Sequence, residues 1–212
     1  MLQLGLLASH NGSNTQAIIN ACKRGTLAAQ VRLVISNNSA AGVLARAHRQ
    51  GIAALHLSRR THPDGNLDQA ILAALKTHGV EWICLAGYMK RLGPLVLEHY
   101  AGHILNIHPS LLSKYGGQDM YGHAVHQAVL AAGDTYTGAT IHLVNSEYDQ
   151  GAVLLQTQVP VDPHDTPETL AARVLVQEHR LYVETLRQIA AGTIDLASYK
   201  EWGRTASKGQ AV

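Results

Sequence analysis

The segment Asn106-Ile107-His108-Pro109-Ser110 sets a carboxamide, an imidazole and a hydroxyl close together in the chain. If it is a strand, Asn106 and His108 share a face, because alternate residues of a strand point the same way. Pro109 cannot extend a hydrogen-bonded ladder, so the strand would stop where the polar pair is displayed. A second element, carrying His142 and then Asp149-Gln150-Gly151, brings another imidazole and a carboxylate. Such a set suits acyl or one-carbon transfer. The amide donates to a developing oxyanion, an imidazolium donates to the same oxygen or to a leaving amine, and the carboxylate keeps the imidazole protonated. Asn106 and His108 suit a plain hydrogen-bonded strand terminus equally well, and the residues alone leave both readings open. Ser110 as a hydrolytic nucleophile lacks the G-x-S-x-G elbow.

A second polar constellation, Ser9-His10-Asn11-Gly12-Ser13-Asn14, falls between an apolar strand pattern and a helical one. A helix N-terminus offers unpaired N–H groups and a positive dipole end to an anion. Gly12 would allow close backbone approach, with Ser13 and Asn14 adding donors; an ordinary strand–helix turn is the competing reading. The segment is neither a GxGxxG fingerprint nor a Walker A loop. Of the 13 histidines, His123 and His126 have helical i, i+3 spacing that would suit two metal ligands, but no third ligand is evident nearby, and no metal is expected. Most of the others fall at loops, helix ends or strand edges.

The elements that would position these residues alternate. Short apolar runs at Leu4–Ala8, Val31–Ser36, Ala53–Leu57, Val80–Ala86 and His103–Ile107 read as strands. Helical patterns separate them at Thr15–Lys23, Ala41–Gln50, Asn66–Thr77 and Pro94–His99. The pattern predicts an α/β, Rossmann-like, doubly wound and mainly parallel sheet. Beyond a helix at His123–Ala132, the runs Gly138–Val144 and Ala152–Val159 lie close enough for antiparallel pairing. Thr166, followed by Pro167 and Thr169, opens a helix running to about Ala191. The expected organisation is one domain over residues 1–192, with a polar tail at 193–212.

Composition narrows the field further. The 212 residues are 46% hydrophobic and 15% charged, against roughly 25% charged in ordinary soluble domains, which excludes a solvating, disordered chain. A net charge of +2 without a Lys/Arg block gives no nucleic-acid footprint. Cys22 and Cys84 form neither a zinc spacing nor a disulfide framework. The N-terminus has no basic flank of a signal peptide, and no apolar run is long enough to span a bilayer. A cytoplasmic protein acting on small molecules, away from nucleic acid and membranes, is expected.

Five segments carry a resemblance: SHNGSN at 9–14, LAGYMKRLGP at 85–94, NIHPSLLSKYGG at 106–117, TIHLVNSEYDQG at 140–151 and DTPETLAARVLVQEH at 165–179. In this order they resemble the phosphoribosylglycinamide formyltransferase family, folate-dependent transformylases of purine biosynthesis. The resemblance runs from Met1 to about Leu196. It implies the formyltransferase fold and transfer of a formyl group from 10-formyltetrahydrofolate to the amine of glycinamide ribonucleotide, without a metal. Asn106, His108 and Asp149 would be the catalytic set, with His108 as imidazolium and Asp149 raising its pKa. Gly12, Ser13 and Asn14 would hold the ribotide phosphate and Glu178 its ribose. Met89, Lys90, Arg91 and Leu92 would line the folate site with Asn145, Ser146, Glu147 and Tyr148, and Asn106 would also touch the folate. The ribotide would fall to the N-terminal half, and folate binding and catalysis to the C-terminal half. Either a monomer or a homodimer fits.

Departures from the family pattern are local. Ser113 stands where the family usually has proline, so the following loop is expected to be less rigid. His10 replaces a glycine, which suggests a strained or shifted turn. The family's arginine for the folate glutamate tail has no match near Asp64; Arg59, Arg60 and Lys90 are the neighbouring cations. Methionyl-tRNA formyltransferase would add a C-terminal nucleic-acid-binding domain, and formyltetrahydrofolate deformylase an N-terminal regulatory one. A degenerate, non-catalytic binding module is opposed by the intact Asn106, His108 and Asp149.

Overall fold

In a computed structural model, which describes residues 1–112, 114–117, 120–147, 149–196 and 199, the chain alternates strands and helices as the periodicity predicts. The strands are β1 (Leu2–Leu7), β2 (Ala29–Ser36), β3 (Ala53–His56), β4 (Trp82–Leu85), β5 (Ile104–His108), β6 (Tyr136–Leu143) and β7 (Val153–Pro160). The helices are α1 (Ser13–Lys23), α2 (Gly42–Arg49), α3 (Leu67–Thr77), α4 (Pro94–His99), α5 (His123–Ala131) and α6 (Pro167–Ala191). Strand order is β3-β2-β1-β4-β5-β6-β7. β1 pairs parallel with both β2 and β4, and β2 with β3, whereas β6 and β7 pair antiparallel. The chain divides into two compact units, Met1–Leu105 and from Asn106 onward.

In the first unit the order reverses at β1: β2 and β3 build outward on one side, and β4 returns to the other. The carboxyl edge beside such a reversal is where open α/β sheets hold ligands. Every residue of β4 is buried, as expected for a strand covered on both faces. The predicted strand over Val80–Ala86 is shorter here because its ends have other partners: Val80 N–H donates to Leu75 O, closing α3. Asp68 on α3 accepts from the Leu95 N–H (2.7 Å), supplying the N-terminal partner of α4 that Pro94 cannot.

In the second unit β6 starts at Tyr136, two residues before the predicted strand, because Tyr136 and Thr137 pair with Pro160 and Val159. Gly138 is required inside this ladder, since a Cβ would fall 2.0 Å from the Thr157 carbonyl oxygen. α6 opens as predicted: the Thr166 side chain accepts from the Thr169 N–H, and the Thr169 hydroxyl accepts from the Thr166 N–H. Leu170, Val174, Leu181, Tyr182, Leu186 and Ile189 make its buried stripe, which packs against β6 and β7. No helix among the described residues is long and apolar enough to cross a membrane. Cys22 and Cys84 are not joined in a disulfide, and burial pushes the Cys22 thiol up to about 11. Most of the tail from 193 lies outside the described residues.

Candidate active site

Strand alternation in β5 delivers Asn106 and His108 to one face, and His108 is only 3% exposed. From β6, His142 reaches the same place: its Nε2 lies 3.0 Å from the Asn106 amide nitrogen. Asp149 stands between the imidazoles, with Oδ2 3.5 Å from His108 Nδ1 and Oδ1 3.4 Å from His142 Nε2. The Gly117 N–H donates to Oδ2 as well (2.9 Å). Asn106, His108, His142 and Asp149 thus form one cluster within the second unit.

The outer ring nitrogens face backbone carbonyls. His108 Nε2 is 2.5 Å from Tyr115 O, and His142 Nδ1 is 2.9 Å from Leu143 O. Carbonyl oxygens only accept, so each of these nitrogens carries a proton. The inner nitrogens, both directed at Asp149, therefore carry one only when their ring is an imidazolium. A single carboxylate and two rings share whatever further proton the cluster holds.

The peptide geometry around Asp149 is specialised. Asp149 has φ 52°, the only non-glycine residue with positive φ among those described. At Gly151 a Cβ would fall 1.6 Å from Leu143 O, the carbonyl that orients His142, so no other residue fits there without displacing that carbonyl. Below the cluster, Thr140 Oγ1 donates to Ser110 O (2.6 Å) and accepts from the Leu112 N–H (3.1 Å), fixing the chain as it leaves β5. Ser110 is fully buried and its hydroxyl donates to Tyr115 O (3.3 Å), which leaves it a structural group.

Burial lowers the His108 pKa below the ordinary imidazole value, outweighing the upward pull of Asp149 and of the Tyr115 carbonyl; His142 adds to the lowering. This corrects the sequence expectation of a histidine whose pKa the carboxylate raises: the attraction is present but burial exceeds it. At Asp149 the balance goes the other way. Burial pushes its carboxyl up, but a hydrogen bond from His142 in its imidazolium form, one from the Gly117 N–H, and the charge of either ring when protonated bring it below the usual range.

In the first unit, Gly12 is the N-cap of α1, with φ 68° and ψ 48°. A Cβ there would be 2.3 Å from Val43 Cγ2, so both backbone and packing require glycine. α1 has no acidic residue in its first turn and no side-chain cap. Ser13 and Asn14 open the helix, and Asn14 is buried. His10 is not strained, contrary to expectation; its φ is not positive, and its carbonyl accepts from the Val43 N–H. The loop after β4 is anchored by Met89 N–H donating to Ser9 Oγ (2.7 Å). Leu92 is buried, while Lys90 and Arg91 are exposed.

In the second unit, Asn145 Oδ1 accepts from the Glu147 N–H (2.9 Å), turning the chain beside Ser146, and Glu178 is buried on α6. Tyr148 and Ser113 lie outside the described residues. His123 is paired with Glu168 (2.7 Å) and His126 is buried with Nδ1 unpartnered; no described group of three His, Cys, Asp or Glu residues is arranged to hold a metal ion. Two contributors were outside the reach of sequence reasoning, the Tyr115 carbonyl and the Gly117 N–H, since backbone atoms carry no residue-type signal. His142 did carry one, as the imidazole in an otherwise apolar run.

Comparison with known proteins follows the same lines. The formyl transferase family model matches residues 3–186. Phosphoribosylglycinamide formyltransferase of Haemophilus influenzae is 40% identical over 197 residues, spanning 92% of this chain and 91% of that protein. The chloroplastic phosphoribosylglycinamide formyltransferase of Arabidopsis thaliana is 40% identical over 189 residues, and the chain spans 65% of its length. Among solved structures, glycinamide ribonucleotide transformylase 1 of Symbiobacterium toebii superposes with TM-score 0.85 and 39% identity, over 91% of this chain and 89% of that one.

Proposed function

The chain belongs to the formyl transferase family, and from that premise we propose that it transfers the formyl group of 10-formyltetrahydrofolate to the amine of glycinamide ribonucleotide. The observation that carries this reading is the convergence of Asn106, His108 and Asp149 at the carboxyl end of β5. The ribotide amine attacks the formyl carbon, forming a C–N bond and a tetrahedral oxyanion. One amine proton passes to N10 of the folate, the old C–N bond breaks, and the products are the formamide and tetrahydrofolate.

His108 starts neutral, as burial dictates. It accepts the amine proton at Nδ1, where Asp149 stabilises the resulting imidazolium, and the proton then goes to the leaving nitrogen, directly or through water. The Asn106 amide donates to the oxyanion, joined by the His108 Nε2–H, which the Tyr115 carbonyl holds in the free protein. His142 holds Asn106 and Asp149 in register. The first-turn amides of α1, with Gly12, Ser13 and Asn14, bind the ribotide phosphate, and Glu178 binds its ribose. Folate contacts come from Met89, Lys90, Arg91, Leu92, Asn106, Asn145, Ser146, Glu147 and Tyr148. The catalytic domain is assigned to residues 1–192. Two cysteines without a disulfide between them suit a reducing, cytoplasmic compartment.

The test is to mix the protein with both substrates and follow tetrahydrofolate formation by absorbance. Release that requires the ribotide supports transfer; equal release without ribotide would mean deformylation instead.

A further inference from the structure

The chain leaving β5 is held by side chains as well as by its backbone. The Lys114 ammonium lies 2.5 Å from Asp134 Oδ1, and the Tyr115 hydroxyl donates to Asp134 Oδ2 (2.6 Å). One carboxylate thus takes two neighbouring side chains, one on each oxygen, and Lys114 Nζ stands 5.2 Å from the centre of the Tyr115 ring. The hydrogen bonds from Lys114 and Tyr115 hold the Asp134 carboxyl below the usual carboxylate range, so it stays charged. Asp134 is itself fixed at the junction of α5 and β6. Its N–H donates to Val129 O, the Gly133 N–H donates to Leu130 O, and Thr135 O accepts from the Val161 N–H (2.9 Å).

Tyr115 connects this anchor to the catalytic imidazole. Its hydroxyl is on Asp134, while its carbonyl is 2.5 Å from His108 Nε2, with the Ser110 hydroxyl as a second donor (3.3 Å). On the other side of the ring, Asp149 Oδ2 is 3.5 Å from His108 Nδ1. A neutral imidazole has one proton for these two acceptors, and the hydrogen bond made by one nitrogen decides what the other carries. Asp149 alone would draw that proton to Nδ1, since a charged acceptor makes the stronger bond. The shorter contact to Tyr115 O draws it to Nε2. The tautomer of His108 therefore depends on where the peptide of residue 115 is held.

We propose that Asp134 is a positioning residue for His108: by gripping Lys114 and Tyr115 it keeps the Tyr115 carbonyl on Nε2 and so fixes the Nε2–H tautomer. That form leaves the lone pair on Nδ1, where the amine proton is to be received, and supplies the Nε2–H required at the oxyanion. Asp134 acts through the loop and not on the substrates. The tautomer follows from the geometry alone, whereas its consequence for turnover rests on the proposed reaction.

The test reads the ring itself, so it stands whether or not formyl transfer is found. With 15N-labelled histidine, the two nitrogens of a neutral ring resonate far apart according to which carries the proton, and at about pH 8 a histidine of depressed pKa is neutral. Wild-type His108, assigned through H108Q, should show the Nε2–H form. D134A should lower the ratio of Nε2–H to Nδ1–H about tenfold, as the loss of one ordinary hydrogen bond does. Y115F and K114M each remove one arm of the grip and should give smaller shifts in the same direction; should D134A fail to fold, K114M/Y115F carries the same reading. Asp134→Asn still offers an oxygen to the Tyr115 hydroxyl and should keep most of the wild-type pattern. In the transfer assay, kcat of D134A falls with the remaining Nε2–H fraction while the ribotide KM holds. A merely structural Asp134 would lower the melting temperature and leave the tautomer unchanged. That result, or an Nδ1–H tautomer in the wild type, overturns the proposal. A tautomer that shifts with no change in kcat upholds the role of Asp134 and counts instead against His108 as the base.

Discussion

The proton balance of the cluster turns on single atoms. Asp149 faces His108 Nδ1 and His142 Nε2 at nearly equal distance, while the far nitrogens of both rings are held by carbonyls. Its charge favours the imidazolium of His108, so Asp149→Asn should lower the His108 pKa further. Where neutral His108 is required, the acid limb of kcat/KM moves to lower pH, while kcat falls on the order of 100-fold or more as the imidazolium loses its partner. A pH–rate profile measured on both proteins decides this; an unmoved acid limb would break the proposed coupling. Sequence made the pair Asn106 and His108 legible through strand alternation and Pro109, and Asp149 through the matching segment. It did not reveal that burial exceeds the carboxylate's pull, because the balance depends on how deeply β5 is covered. Nor could it show the Tyr115 carbonyl at Nε2, which any residue type at 115 would supply.

Elements legible in the sequence were those whose burial follows one period. β4, uniformly apolar, and the capped start of α6 were of this kind, whereas the first residues of β6 were missed because pairing with β7, rather than their own hydrophobicity, makes them strand. The strand–turn–helix at Gly12 depends on a left-handed residue against Val43. Gly12→Ala is therefore expected to distort the first turn of α1 and raise the KM for the ribotide several-fold, with a smaller effect on the folate KM. Steady-state kinetics with each substrate varied would reveal it, and equal effects on both would give the turn another role. At α6, Thr166→Ala should lower stability by about 1 kcal/mol in urea titration, as loss of an N-cap does, and leave kcat untouched. A larger change in kcat than in stability would tie this cap to the site.

At the scale of the whole molecule, the buried imidazoles of His108 and His126 and the half-buried one of His179 have pKa values depressed below 6.5, chiefly by desolvation. Above that value they are neutral in both folded and unfolded chains, and none contributes a pH dependence. As pH falls through 6.5 the unfolded chain takes up protons that the folded one resists, so stability drops until the depressed folded values are reached. Urea unfolding between pH 7.5 and 5 should show this decline, and His126→Leu, which also removes an unpartnered buried Nδ1, should make it shallower. An unchanged slope would place the acid sensitivity elsewhere. The strand alternation of this molecule was legible from hydrophobic runs alone, but the boundary between its compact units was not, since it falls inside β5 and no linker or turn residue marks it.

The central claim, that the cluster on β5 passes a formyl group to a ribotide amine, is tested most directly by following the carbon itself. With 13C in the formyl group of 10-formyltetrahydrofolate, NMR should show the label arriving as a formamide on glycinamide ribonucleotide, and His108→Ala should stop its arrival while the ribotide still binds. Label appearing as free formate, at the same rate with and without the ribotide, would contradict the account.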